Sequence, residues 1–134
     1  MPLDAVILAE ARRWLRFADD DLASARLHVA TPRILPNQAC YHAQQAVEKA
    51  LKAVLMVRGI RFPKSHDLVA LAALLPAADA GLIDHVDLPA LTAWVVAARY
   101  PTDLPEATES AATSAIAGAA TICERIHAEL DALT

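Results

Sequence analysis

Gln45, Lys49 and Lys52 follow one another at steps of four and three residues, so one ligand lying along a helix could meet all three. The lysines suit phosphate charge, and the glutamine suits an amide-like base edge. Arg99 and Tyr100 add a guanidinium and a ring able to stack on a base. Equally, they could tie a helix end to its neighbours, with the tyrosine hydroxyl donating to a backbone carbonyl. His66 completes the ligand-binding candidates: Gln45, Lys49, Lys52, His66, Arg99 and Tyr100. In a plainer role His66 caps or supports the helix after it, and His42 is a surface helix residue. The chain has no Gly-rich phosphate loop, no HExxH and no clustered metal-ligand spacing, so no metal or other cofactor is expected.

The chain of 134 residues suits one domain with one core. Two cysteines, Cys40 and Cys123, are too few for a disulfide scaffold and read as small buried apolar residues. The longest apolar run, Leu68 to Ala78, contains Pro76 and falls short of the about 20 residues that span a bilayer. Asp4, Glu10, Arg12 and Arg13 interrupt the N-terminal apolar stretch, which excludes a signal-peptide core, so the expected location is cytoplasmic and off the membrane. A net charge of −4 argues against a broad nucleic-acid-binding surface. It hides an asymmetry: Lys49, Lys52, Arg58, Arg61 and Lys64 occur with no acid between Lys49 and His66. Acids then dominate the rest of the chain.

Positioning these residues falls to helices, because alanine and leucine dominate and only three glycines occur. Ala11, Trp14, Leu15, Ala18, Leu22, Ala25 and Val29 recur at helical steps, and Thr31-Pro32 and Pro36 close that first helix. Asn37 is the expected N-cap of a second helix running to Arg58, with Gly59 as its stop. His66 or Asp67 starts a short helix that Pro76 ends, and Gly81 marks a further break. Asp87 with Pro89 begins a helix that runs to Arg99 and stops at Pro101. Asp103 or Leu104 with Pro105 opens the last one, with Glu106 and Glu109 near its positive end. The expectation is all-α: one up-and-down bundle of about five helices around a four-helix core, spanning 1–134.

On a wheel of the second helix, Ala43, Ala46, Val47, Ala50, Leu51, Ala53, Val54 and Val57 share the side that faces the core. The other side carries Tyr41, Gln44, Gln45, Glu48, Lys49, Lys52, Leu55 and Met56. A solvated face would not need Tyr41, Leu55 and Met56, so this stripe reads as solvated surface, dimer surface or the wall of a polar groove. Tyr41, Gln44, Glu48, Leu55 and Met56 are the interface candidates. Glu48 and Lys52 form a helical i,i+4 pair.

The run Tyr41-His42-Ala43-Gln44-Gln45-Ala46-Val47-Glu48-Lys49-Ala50-Leu51-Lys52-Ala53 resembles the signature of HEPN (higher eukaryotes and prokaryotes nucleotide-binding) domains. The resemblance extends to Trp14, Asp21-Leu22, His66-Asp67-Leu68 and Arg99-Tyr100-Pro101. It implies a homodimeric helical bundle paired with a minimal nucleotidyltransferase in a toxin–antitoxin-type system, with a nucleotide or RNA as ligand. Some members resemble one another further as metal-independent ribonucleases bearing an arginine, four to six residues, then a histidine. That alternative would use Arg99 as its catalytic arginine, because histidine and arginine best supply the acid–base group and the cation beside a scissile phosphate. Here Tyr100-Pro101-Thr102-Asp103-Leu104-Pro105-Glu106 follows with no histidine, so His42 or His66 would have to come from another helix or subunit. Arg61 and His66 do have the spacing, but across a loop containing Pro63.

Overall fold

The computed structural model describes residues 3–30, 32–97 and 105–133. Its elements are α1 (Ala5–Ala30), α2 (Pro36–Val57), α3 (Leu68–Ala72), a 3-10 helix (Ala77–Ile83), α4 (Leu88–Ala97) and α5 (Glu109–Asp131). Among the described residues every regular element is helical, as composition predicts, and no helix is long and apolar enough to cross a membrane.

Side-chain partners give the helix directions. Asp21 of α1 meets His42 and Lys49 of α2, and Trp14 lies beside Lys52, so α1 and α2 are antiparallel. Asp19 meets His127 and Arg12 meets Asp131, so α5 is antiparallel to α1 as well. Gly118 faces Val86 and Leu91, while Arg125 reaches back to Leu82 and Asp84, which sets α4 against α5 in the opposite sense. The long helices therefore run up, down, up and down, with α3 and the 3-10 helix filling the connection between α2 and α4. Ala11, Leu15, Ala18, Leu22 and Ala25 of α1 and Ala112, Ala115, Ala119, Ile122, Ile126 and Leu130 of α5 close on α2 from two sides.

Several helix ends differ from expectation. Pro36 opens α2 as its first residue, where a missing N–H costs nothing, and Leu35 takes the cap position without a side-chain bond. Asn37 is thus not the cap. Its Oδ1 accepts the Ala107 N–H at 2.8 Å and ties the start of α2 to the segment leading into α5. Gly59 does stop α2, with φ of 69°, the left-handed conformation that ends helices. Asp67 caps α3 by accepting from the Val69 and Ala70 N–H groups, and Asp87 accepts from Ala90 at the start of α4. Gly81 does not break the chain but lies within the 3-10 helix. The last helix starts later than Pro105 implies: Thr108 is its cap, its hydroxyl accepting the Ala111 N–H at 3.0 Å, so Glu109 sits in the first turn and Glu106 outside it. The expected end of the fourth long-helix segment at Arg99 and Pro101, and Asp103 and Leu104, lie outside the described residues.

One polar clamp locks the lower end of the bundle. The Arg58 guanidinium, at the C-cap of α2, makes a forked pair with Asp79 of the 3-10 helix at 2.8 and 2.9 Å and reaches Glu129 of α5. The hydrogen bonds to Asp79 raise the Arg58 pKa above its ordinary value, against the opposing effect of burial. Reciprocally, the Arg58 fork holds the Asp79 carboxyl below the usual range.

Two outcomes follow. Thr108→Ala is expected to lower unfolding stability by about 1 kcal/mol in urea melts, and exposed Glu106→Gln by less than about 0.5. Because the folded Asp79 pKa is depressed, its contribution is complete above the unfolded value near about 4 and fades as pH falls through the folded value. Urea melts of Asp79→Asn should therefore show a smaller loss of stability than wild type between about pH 4 and pH 2.

Candidate functional site

The second helix is enclosed on more sides than its wheel suggests. Its core side is buried as expected, but so is much of the polar side: Gln44 is 0% exposed, Glu48 4%, Lys52 7% and Leu55 0%. Gln44, Glu48 and Leu55 are thus not surface residues available to a partner, which corrects their placement as interface candidates. The physical reason is that the chain returns over this face after Gly59, placing Phe62 and His66 on it, while Trp14 covers it from α1. Tyr41 and Met56, the other two interface candidates, are half-buried.

A buried carboxylate must be met by donors or it protonates, and Glu48 is met from three directions. Lys52 Nζ donates to its Oε2 at 3.1 Å. His66 Nδ1 lies 2.7 Å from Oε1, and the Gln45 amide donates to the same oxygen at 3.4 Å. Gln45 also donates to Gln44 Oε1 at 2.7 Å, and Gln44 donates to the His66 backbone carbonyl at 2.8 Å. The Lys52 ammonium lies over the Trp14 ring at 5.9 Å and over the Phe62 ring at 5.8 Å, a cation–π contact with each in a largely dry setting. Orientation of His66 therefore comes from α2, while its ring stays 59% exposed. This is the geometry of a carboxylate-oriented imidazole, able to hold or pass a proton at the ring nitrogen away from Glu48.

A second cluster lies higher on the same helix. Lys49 Nζ donates to Asp21 Oδ2 at 2.5 Å and His42 Nδ1 lies 3.1 Å from Asp21 Oδ1. The His42 ring stacks on His28 of α1 with centroids 5.6 Å apart, and Tyr41 meets its edge at 5.4 Å. His42 is accordingly a seam residue between α1 and α2 and not a free surface group.

Of the six ligand-binding candidates, Gln45, Lys52 and His66 come together around Glu48, and Lys49 is held apart by Asp21. Arg99 and Tyr100 lie outside the described residues. Sequence reading missed Asp21 as the acid that neutralises Lys49, although the short α1–α2 connection forces the two helices into antiparallel register and sets Asp21 opposite residues 42–49. Both cysteines are buried, and burial pushes the Cys40 thiol up to about 11 and the Cys123 thiol up to about 12, which disfavours the thiolate form of each at neutral pH.

Away from α2, a groove of about 630 Å³ separates α4 from α5. Val86, Leu91 and Trp94 form one wall, and Ala115, Gly118 and Arg125 the other. Gly118 permits the close approach of Val86, whose Cγ1 would lie 3.1 Å from an added Cβ and would have to shift by a few tenths of an ångström. Arg125 donates to the Asp84 carbonyl at 2.7 Å, next to His85, whose φ of 64° places a non-glycine residue in left-handed geometry. Trp14 and Trp94 are both partly buried against the core, and Trp94 in addition lines this groove.

The family model of the HEPN domain matches residues 11–129. TT1696 from Thermus thermophilus has a similar structure, with a TM-score of 0.72 and 27% identity over 89% of this chain and 97% of that one. ST0689, described as an archaeal HEPN homologue, is similar with a TM-score of 0.65 and 26% identity over 90% and 97% of the two chains. No curated protein matches.

Removing Lys52 takes away the cation that faces the buried Glu48 carboxylate and leaves it only the His66 ring and the Gln45 amide. Lys52→Ala is expected to cost about 3 kcal/mol of unfolding free energy. In the same denaturant series the exposed Lys64→Ala should cost less than about 0.5 kcal/mol.

Proposed function

The chain belongs to the HEPN domain family, and on that premise we propose that it acts as a homodimeric interaction module paired with a minimal nucleotidyltransferase in a toxin–antitoxin-type system. One observation carries the reading. The lysines of α2 that could have gripped a phosphate are already neutralised inside the chain, Lys49 by Asp21 and Lys52 by Glu48. An ammonium committed to such a carboxylate would have to weaken or break that pair to take up a ligand, and the carboxylate would lose its lysine partner. The α2 signature thus serves the fold, and contact with other molecules passes to surfaces outside it.

The α4–α5 groove is the concave surface of the right size and apolar character for such contact. Contact with a nucleotide or RNA, on this reading, falls to the exposed Arg61 and Lys64 of the loop and to the His66 ring, which face solvent. These groups would supply charge and one solvent-facing imidazole, with specificity coming from the partner protein.

The test joins two measurements on one sample. The purified chain is expected to have twice the chain mass by light scattering, to leave labelled RNA intact in EDTA, and to co-purify with a co-expressed minimal nucleotidyltransferase from the adjoining frame. RNA cleavage that disappears in Arg99→Ala would replace this reading with the ribonuclease one, and a monomer that retains no nucleotidyltransferase would remove it.

A further inference from the structure

The helix α1 carries two stripes with the same alternating four- and three-residue rhythm. Ala11, Leu15, Ala18, Leu22 and Ala25 are buried against the bundle. On the opposite side, positions 6, 10, 13, 17, 20, 24 and 27 form a second stripe: Val6, Glu10, Arg13, Phe17, Asp20, Ser24 and Leu27. Three of the large apolar side chains that stand in solvent fall on it, Val6 at 75%, Phe17 at 48% and Leu27 at 61% exposure. The rhythm is that of a helix packing along another helix, and the stripe is about 32 Å long at 1.5 Å per residue.

The order of residues along this stripe is its own complement when reversed about Phe17. An antiparallel second copy would set Phe17 on Phe17, Val6 on Leu27, Glu10 on Ser24 and Arg13 on Asp20. Each pair of unlike residues would occur twice, as an isologous two-fold contact requires. Parallel pairing would instead set Arg13 on Arg13 and Asp20 on Asp20, so charge selects the antiparallel arrangement. Within one chain Arg13 makes an exposed contact to Glu10 at 3.5 Å and lies over the Phe17 ring at 5.3 Å, leaving it able to exchange partners.

We infer that the outer face of α1 is the contact between two copies of this chain, packed antiparallel about Phe17 with reciprocal Arg13–Asp20 pairs. The inference rests on the homodimer part of the proposed function and adds the surface that forms it. In the pair the two Phe17 rings leave water at the centre, and the charges flank them at a polar rim, the usual anatomy of a specific helix contact.

Sedimentation equilibrium of wild type, Phe17→Asp, Arg13→Asp and Asp20→Arg tests it, with circular dichroism as a check that these exposed changes leave the helices intact. Each variant alone should weaken the dimer at least about tenfold, because like charges or a charge on the ring now face each other. An equimolar mixture of Arg13→Asp and Asp20→Arg chains should restore wild-type association as a heterodimer, since every charge then faces its opposite. A dimer insensitive to all three changes would overturn the inference and leave the homodimer reading standing, whereas a monomeric wild type would overturn both. An unchanged dimer in which Phe17→Asp abolishes co-purification of the nucleotidyltransferase would assign the stripe to that partner and overturn the second-copy assignment.

Discussion

A carboxylate withdrawn from water has to be met by donors at the place where it is buried, and in this bundle that demand falls on Glu48. The position lies on the central helix, and the chain covers it from the α1 side with Trp14 and from the following loop with Phe62 and His66. Lys52 satisfies it from one helical turn further on, Gln45 from a turn before, and His66 from a segment that has no regular structure of its own. The His66 contact to Glu48, with Gln44 on the His66 carbonyl, also holds the end of the 60–66 segment against α2, just before Asp67 caps α3. An apolar residue of similar size could fill the space, but it would give the loop no fixed point, and polar networks of this kind specify an arrangement more than they stabilise it.

The same logic repeats at smaller scale between the other elements. Asp21 gathers Lys49 and His42 across the α1–α2 seam, Asp19 takes His127 across α1–α5, and Arg58 draws Asp79 and Glu129 together at the lower end. Each long-range pair joins two different elements, and together they help fix the register of helices whose packing surfaces are rich in alanine. Alanine allows close approach in many registers because it has no side-chain shape to interlock, so polar pairs at the seams decide among them.

This use of charge shapes what the protein can offer to others. The lysines of the α2 signature are spent on internal carboxylates, while exposed cations occur in the loop after Gly59 and along the outer face of α1. The apolar groove between α4 and α5 and the α1 stripe are separate surfaces on different sides of the bundle. Neither surface includes a residue of the buried Glu48 network.

The helix class, the core side of α2 and the core-facing stripe of α1 were legible in the sequence, because a 3.6-residue period in apolar side chains is a local property that any burial partner must respect. Gly59 as a stop and Asp67 and Asp87 at helix starts were legible for the same reason, since a cap needs only its own backbone within four residues. The polar side of α2 was not. Whether Gln44, Glu48 and Lys52 face water or the interior depends on where residues 60–66 and Trp14 come to rest, and those lie in other elements. Likewise Asn37 looked like a cap, and only the arrival of Ala107 from seventy residues away turned its side chain to another task. Periodicity determines which face of each helix wants to be buried; which polar groups are buried with it is decided when the elements meet, because only then is the choice between water and a partner made.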